Sequence, residues 1–310
     1  MTDTQPEPEP TRPDPTRQFE FLRKLLRKIL TIYIVVIIVL GFLQRSLLYH
    51  PSTAESLSVA SVPDVLRLYP DAEDIEIPCE SGEIVRGWLL KKPAAALADE
   101  RPLVVYLHGN AGNRAGRTAW YQILESANAD VLAIDYLGYG DSDGKVSEST
   151  LEISCDAAWA YATEILGYRP NQIVIGGTSL GGAAAVYLCS KQCTAGEDPA
   201  GLFVVATFSS MVDVASNLYW WLPVNAILVD RYPSDERAIR ITCPVVVMHG
   251  DQDTLVKQHL GERLFESFPA ASANGVEKKW VSLPKTGHND LLSKSPHHIR
   301  DEIQKLLNSI

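Results

Sequence analysis

The sequence predicts an α/β domain with a doubly wound, mostly parallel sheet, preceded by one transmembrane helix. Short, continuous aliphatic runs alternate with helical stretches, a pattern typical of parallel strands that helices cover on both faces. The runs are Leu103–Leu107, Val131–Ile134, Ile173–Ile175, Leu202–Ala206, Val245–Met248 and Trp280–Leu283. Before them, two segments with alternating polarity, Ile75–Pro78 and Glu83–Lys91, flank Glu80-Ser81-Gly82 and predict an antiparallel hairpin.

The composition is that of a globular protein with a sizeable core. The 310 residues are 46% apolar and 21% charged, which allows one large domain. The formal net charge is −10, and no cluster of Lys and Arg occurs outside the N-terminal arm. Because such a surface repels phosphate backbones, we expect no nucleic-acid partner. Nothing in the sequence indicates an oligomeric state.

Five cysteines are scattered through the chain. They are Cys79, Cys155, Cys189, Cys193 and Cys243. No CxxC motif occurs, so the spacing predicts neither a zinc site nor a thioredoxin-like redox site. Cys189 and Cys193 lie four residues apart in a predicted helix, which is a poor geometry for a disulfide. The sequence therefore predicts buried free thiols and indicates no metal or organic cofactor.

The N-terminal arm predicts a membrane anchor. Residues 2–19 alternate proline with charge and cannot form a core, so we expect a disordered tail over residues 1–24. An uncharged apolar run follows from Ile29 to Leu43. A helix from Ile29 to Gln44 spans roughly 24 Å against about 30 Å of hydrocarbon, so the predicted span takes in flanking residues and covers 25–48. Basic side chains at its ends then reach the headgroups.

Two alternatives compete with an uncleaved signal-anchor. A cleaved signal peptide has an apolar core of this length, but here the preceding region is long and no small-residue site follows closely. A buried soluble helix is disfavoured because the run is apolar on every side. Four basic residues precede the run (Arg23, Lys24, Arg27, Lys28), and one, Arg45, follows it. The positive-inside rule then places the tail in the cytoplasm and the domain, residues 49–310, on the opposite side of the membrane.

The strongest chemical signal is Gly177-Thr178-Ser179-Leu180-Gly181, which follows a buried strand and precedes a helix rich in small residues. This G-x-S-x-G context is that of a nucleophile elbow, a sharp turn that exposes the serine hydroxyl above the sheet. Side chains two residues before and after the serine would collide where strand and helix converge, so both positions carry glycine. Ser179 is the predicted nucleophile.

A serine needs a base, and the base needs an acid that orients it, in the chain order Ser, Asp or Glu, His. The strand Val245–Met248 leads into a loop with two carboxylates, Asp251 and Asp253, and the last strand leads into a loop with His288. We predict His288 as base, since it alone among the histidines follows the final strand in a Gly-containing loop. Asp253 is favoured over Asp251, which lies so close to the strand that capping the turn is its alternative role.

Acyl transfer also needs donors for the developing oxyanion. The backbone N–H of Leu180, directly after the nucleophile, is the first candidate. The second is the N–H of Asn110 in the loop after Leu103–Leu107; a plain glycine-bearing turn is the alternative for that segment.

Four motifs together resemble a known family. They are His108-Gly109-Asn110-Ala111-Gly112-Asn113, the segment Asp135 to Ser142, the Gly177–Gly182 elbow and the segment His249 to Asp253. They are similar to the membrane-anchored α/β-hydrolase-domain proteins, a group containing lysophospholipases and protein depalmitoylases. The resemblance runs from about Leu48 to the C-terminus. It implies the α/β-hydrolase fold and a serine hydrolase acting on acyl esters or thioesters, with Ser179, Asp253 and His288 at the matching positions.

The segment between the strands Leu202–Ala206 and Val245–Met248, about residues 209–242, is where many such enzymes carry a lid. Its short length predicts a lid-like insertion without a separate cap domain. This segment contains the aromatic cluster Tyr219-Trp220-Trp221. The sequence leaves three roles open for this cluster: lining an acyl pocket, contacting the membrane surface or packing in the core.

Three functions follow in order of preference. The first is hydrolysis of an ester or thioester of a small-molecule or lipid-like acyl substrate near the membrane. The second is cleavage of amides or peptides by the same residues, since both reactions pass through an oxyanion. The third is a non-catalytic binding protein on a hydrolase scaffold, which would normally show a broken triad.

Overall fold

A computed structural model describes residues 15–92 and 101–309 of the chain. The chain divides into two units, Met1–Gln44 and Arg45–Ile310. Residues 1–14 of the expected disordered tail and the Ala-rich loop at Pro93–Leu97 that the sequence suggests lie outside the described residues.

The N-terminal unit is formed by helix α1, Pro15–Leu48, whose last four residues belong to the second unit. The prediction of a disordered tail over residues 1–24 is therefore wrong for residues 15–24, which are helical. Proline is favoured at a first helical position, and Leu, Arg and Lys propagate a helix well. The part Phe19–Leu48 is long and apolar enough to cross a membrane, and its apolar window is not buried. Its 30 residues rise roughly 45 Å, more than the hydrocarbon thickness requires.

The second unit contains an eight-stranded sheet. Its strands are β1 (Glu73–Pro78), β2 (Ile84–Leu90), β3 (Leu103–Leu107), β4 (Asp130–Asp135), β5 (Ile173–Thr178), β6 (Gly201–Val205), β7 (Val245–Gly250) and β8 (Lys279–Leu283). The spatial order is β8-β7-β6-β5-β3-β4-β2-β1. The pairs β1–β2 and β2–β4 are antiparallel and all others are parallel, which confirms the predicted hairpin and the doubly wound parallel sheet.

Helices cover both faces of this sheet. They are α2 (Pro63–Leu68), α3 (Thr118–Ser126), α4 (Glu148–Ala160), α5 (Leu180–Ala195), α6 (Met211–Leu218), α7 (Val224–Ile227), α8 (Ser234–Ala238), α9 (Gln258–Ser267), α10 (Leu291–Lys294) and α11 (Pro296–Leu307). In β3, Val105 belongs to a buried apolar cluster that includes residues of α4, α5, α8 and α9, while its neighbour Val104 belongs to a second cluster that includes residues of α2, α3 and α11. Every residue of β3 is buried, because each side of the strand faces a helical layer.

The insertion between β6 and β7 consists of the short helices α6, α7 and α8 joined by loops. Its aromatic cluster, Tyr219-Trp220-Trp221, is exposed: Trp220 is 83% exposed and Trp221 44%. Core packing is therefore the wrong reading of these aromatic residues.

A buried ion network ties the loop after β3 to the loop after β4. The Arg114 guanidinium donates at 2.6 Å both to Asp135 Oδ2 and to Asp141 Oδ1. It also donates to the Leu57 carbonyl at 2.7 Å and lies 5.0 Å from the centre of the Trp88 ring. Burial alone would raise the pKa of Asp141, but the hydrogen bond and the charge of Arg114 lower it overall.

Arg114→Ala should lower the free energy of unfolding by about 3–5 kcal/mol, because it leaves two carboxylates buried without their cation. Arg67→Ala is the matched control: Arg67 pairs with Asp64 at the surface and its side chain is 76% exposed, so a change below about 1 kcal/mol is expected. Urea unfolding of the full chain in detergent measures both, and equal losses would show that the network adds no stability.

Candidate active site

The turn from β5 into α5 has a strained backbone at one residue. Ser179 lies in this turn with φ 55° and ψ −120°, a region that L-residues rarely adopt. Close packing at the two flanking glycines makes the turn possible. A Cβ on Gly177 would lie 2.1 Å from the Gly181 carbonyl oxygen. A Cβ on Gly181 would lie 2.1 Å from the Leu107 carbonyl oxygen. The sequence-predicted elbow is present, with the glycines in the roles expected for them.

Three side chains from distant loops form one hydrogen-bonded chain. His288 Nε2 lies 3.0 Å from Ser179 Oγ, and His288 Nδ1 lies 2.7 Å from Asp253 Oδ2. Since an ionised carboxylate only accepts, Nδ1 carries the proton and Nε2 is free to accept from the serine hydroxyl. The structure thus brings together the serine, the histidine and the aspartate that the sequence singled out.

The Asp253 side chain is buried and held by several donors. Its Oδ1 accepts from the backbone N–H groups of Leu255 (3.0 Å) and Val256 (2.8 Å). Its Oδ2 lies 3.5 Å from His249 Nε2, a ring nitrogen that also contacts the Val256 carbonyl at 2.8 Å. Burial alone would raise the pKa of Asp253, but the hydrogen bonds from His249 and His288 lower it well below its usual range. The carboxylate is therefore ionised beside the imidazole.

The other candidate acid occupies a different environment. Asp251 is exposed and accepts from the backbone N–H of Thr286 at 3.3 Å, across the neighbouring loop. Its position matches the turn-capping role that the sequence left open for it. His288 is hydrogen-bonded to Asp253 and not to Asp251.

The two candidate oxyanion donors lie on segments that pack against each other. A Cβ on Gly109 would meet the Thr178 carbonyl oxygen at 3.2 Å and Ser179 Cβ at 3.6 Å, so the loop carrying Asn110 runs beside the elbow. Among the turn and loop backbone hydrogen bonds of the described residues, none is donated by the N–H of Leu180 or by that of Asn110. Asn110 is fixed through its side chain, whose Oδ1 accepts from the Tyr139 hydroxyl at 3.1 Å.

Comparison with known proteins identifies the family. The family model described as alpha/beta hydrolase matches residues 104–299, well over half of the chain. The chain belongs to the alpha/beta hydrolase family. An uncharacterised protein of Mycobacterium tuberculosis is 32% identical over 247 residues, which covers 80% of this chain and 81% of that protein. Protein bem46 of Schizosaccharomyces pombe is 30% identical over 266 residues, covering 83% and 84%.

Relatives of this alpha/beta hydrolase with a named activity match a smaller part of it. Lysophosphatidylserine lipase ABHD12 of Danio rerio is 33% identical over 196 residues, covering 58% of this chain and 51% of that protein. The chain thus spans about half the length of that lipase. Among solved structures, the Pyrococcus furiosus esterase Pf2001 superposes with a TM-score of 0.62 at 16% identity, covering 84% of this chain and 97% of the esterase. That likeness concerns the fold.

The sequence interpretation of this hydrolase missed the groups that support the site. His108 is buried, and its Nε2 lies 3.1 Å from Asp135 Oδ1. Its carbonyl accepts from the Tyr136 hydroxyl at 2.8 Å, which fixes the start of the Asn110 loop. Asp135 and Tyr136 belong to a motif that the sequence had already marked, but their partners are distant in the chain.

The lowered pKa of Asp253 predicts how stability depends on pH. A carboxylate whose folded pKa lies below its unfolded value of about 3.9 stabilises the fold fully above that pH. The contribution is lost as the pH falls through the folded pKa. The difference in unfolding free energy between the wild type and Asp253→Asn should therefore be constant from neutral pH to about pH 5 and shrink below about pH 4. Asp251→Asn is the matched control, since its carboxylate is exposed.

Urea unfolding at a series of pH values measures both differences. A difference for Asp253→Asn that stays constant to strongly acidic pH would contradict the assignment of an ionised, stabilising carboxylate.

Proposed function

We propose that this alpha/beta hydrolase is a serine hydrolase that cleaves an acyl ester or thioester of a lipid-like or acylated substrate. The observation that carries the proposal is the chain Asp253–His288–Ser179, with both hydrogen bonds at 3.0 Å or less. A hydroxyl, an imidazole and a buried carboxylate in this order are the parts that acyl transfer through a serine requires.

Each residue has a distinct role in this mechanism. Ser179 Oγ attacks the substrate carbonyl while His288 Nε2 accepts its proton, and the Asp253 carboxylate stabilises the imidazolium. The N–H groups of Leu180 and Asn110 donate to the oxyanion. His288 then protonates the leaving alcohol or thiol, and an acyl-enzyme with its ester bond at Ser179 Oγ remains. Water, deprotonated by His288, hydrolyses this ester and restores the serine.

Three features favour an apolar, lipid-like acyl group. The chain is similar to a lysophosphatidylserine lipase, and it carries an exposed apolar helix, Phe19–Leu48. The insertion that follows the carboxyl end of β6 exposes Trp220 and Trp221, and indole rings favour the boundary between water and lipid. A substrate drawn from a membrane surface accounts for all three features.

Activity toward a panel of esters, thioesters and amides of one acyl chain tests this proposal. The full chain in detergent should hydrolyse the ester and thioester, and a fluorophosphonate probe should label it. Ser179→Ala should abolish labelling and Asp253→Asn should lower kcat by about 10⁴-fold, while Asp251→Asn, the matched control, has a much smaller effect. Labelling that persists in Ser179→Ala would identify another nucleophile. Preferential cleavage of the amide would indicate an amidase or peptidase. A wild type that cleaves no substrate and is not labelled by the probe would indicate a binding protein.

We also propose that residues 25–48 span the membrane with the N-terminus in the cytoplasm and residues 49–310 on the opposite side. The basic groups Arg23, Lys24, Arg27 and Lys28 precede the apolar run. A single basic residue, Arg45, lies at the other end of the run, where it pairs with Asp230 at 2.9 Å. Because the number of basic residues on each side biases the orientation, the four that precede the run favour retention of the N-terminal flank on the cytoplasmic side.

Protease added to the outer face of intact membranes should digest the domain and spare an N-terminal tag. After detergent solubilisation, both should be digested, which controls for intrinsic protease resistance. A protected domain with a digested tag would reverse the proposed orientation.

A further inference from the structure

Three cysteine sulfurs meet in the second unit, ten or more residues after Ser179 in the chain. The Sγ atoms of Cys189, Cys193 and Cys243 all lie within 4.8 Å of one another, and we call these residues the cysteine cluster. Cys189 and Cys193 lie one turn apart in α5, while Cys243 lies two residues before the start of β7. Cys189 and Cys243 are buried and Cys193 is half-buried. Helix periodicity places the first two on one face, and the sheet brings the third to meet them.

The spacing of the sulfurs suits a shared metal ion. The Sγ atoms of Cys189 and Cys243 lie 3.3 Å apart, whereas a disulfide requires about 2.05 Å. Thiolates bound to one tetrahedral Zn²⁺ at about 2.3 Å lie roughly 3.8 Å from one another. The triangle of sulfurs therefore needs only small shifts to surround one ion. Two of the sulfurs lie on α5 and the third lies just before β7, so the backbone restricts their movement, as in structural zinc sites.

A carboxylate stands next to the cluster. The Asp198 Oδ2 accepts from Thr242 Oγ1 at 2.9 Å, and Thr242 directly precedes Cys243 in the chain. The site thus offers three sulfurs close together, with a carboxylate nearby.

We propose that the cysteine cluster binds one thiophilic divalent cation, Zn²⁺, through its three thiolates. These supply three of the four positions of a tetrahedral zinc site, and the negative charge of the nearby Asp198 carboxylate attracts the cation. Binding releases the thiol protons to solvent, so affinity rises with pH. The sequence missed this site because its ligands do not follow a CxxC spacing: two are four residues apart, and the third is 50 residues further along the chain.

The position of the site indicates a structural role. From Ser179 to Cys189 the chain runs through ten residues of α5, roughly 15 Å at 1.5 Å per residue, so the ion cannot contact the reacting atoms. It would instead join the far half of α5 to the entry of β7, the strand that leads to Asp253. One ion therefore fastens the helix behind the serine to the strand that carries the acid.

Metal analysis of the full chain, purified in detergent with reductant and loaded with Zn²⁺, tests the proposal. The wild type should retain about one Zn²⁺ per chain after dialysis, and Cys193→Ser and Cys243→Ser should retain none above background. Asp198→Asn should bind more weakly than the wild type. Cys155→Ser is the matched control, since Cys155 is a buried thiol of α4 outside the cluster, and it should retain the metal. Added Zn²⁺ should raise the Tm of the wild type but not that of Cys193→Ser.

Cobalt titration of the wild type keeps the proposal testable if the serine variants do not fold. Bound Co²⁺ should show thiolate-to-metal charge-transfer absorption together with the visible bands of tetrahedral coordination. Absence of these bands, or wild-type zinc no higher than in Cys193→Ser, would overturn the proposal. A bond between Cys189 and Cys243 in the purified protein, seen as alkylation that requires prior reduction, would also overturn it and identify a redox pair.

Discussion

The close packing of strand against helix at the elbow is the constraint on which the candidate site depends. Ser179 has a conformation that costs about 1–3 kcal/mol, and it persists only because its neighbours leave no alternative. Its N–H donates to the Val205 carbonyl at 2.9 Å, and its carbonyl accepts from Thr207 Oγ1 at 2.8 Å. Both partners belong to β6 and the loop that follows it. These hydrogen bonds to the sheet therefore fix the backbone of Ser179 and the direction of its hydroxyl, and His288 lies within hydrogen-bonding distance of that hydroxyl.

A second constraint acts on the acid. Asp253 and Asp251 are two residues apart on one loop, yet one is enclosed and the other is in water. The difference arises from the chain after Asp253, which turns back so that the N–H groups of Leu255 and Val256 reach its Oδ1. This leaves Oδ2 for the histidines. Oδ1 of Asp253 therefore stabilises the turn of the chain, while Oδ2 orients the imidazole of His288.

The sequence predicts much of this because each signal is local. Buried strands are short aliphatic runs, and the elbow is a five-residue pattern between a strand and a helix, so both can be read without knowledge of distant contacts. The order of serine, acid and base along the chain adds the remaining constraint. The structure moves the strand ends by up to three residues: β5 continues past Ile175 to Thr178, and β6 ends at Val205, before Ala206, whose φ is 50°.

What the sequence cannot provide is the pairing of residues that are distant in the chain. Arg114 has no local signal, yet it joins Asp135 and Asp141 in the interior. The cysteine cluster has the same character, since Cys243 meets a helix that ended 48 residues earlier. The helical start at Pro15 was missed for another reason. A proline- and charge-rich composition indicates disorder on average, but the prolines all precede residue 16, and good helix formers follow.

The segment just after the apolar helix has more than a connecting role. His50–Pro51 pairs in parallel with Ala111–Gly112, so this segment adds a short ladder to the loop that carries Asn110. The Asn110 side chain completes the link: its Nδ2 donates to the Leu48 carbonyl, and its Oδ1 is 3.3 Å from the His50 N–H. The backbone of a candidate oxyanion donor is thus positioned by residues that begin where the apolar helix ends. Within the second unit, Leu48 and His50 therefore hold the Asn110 loop through both the side chain and the backbone.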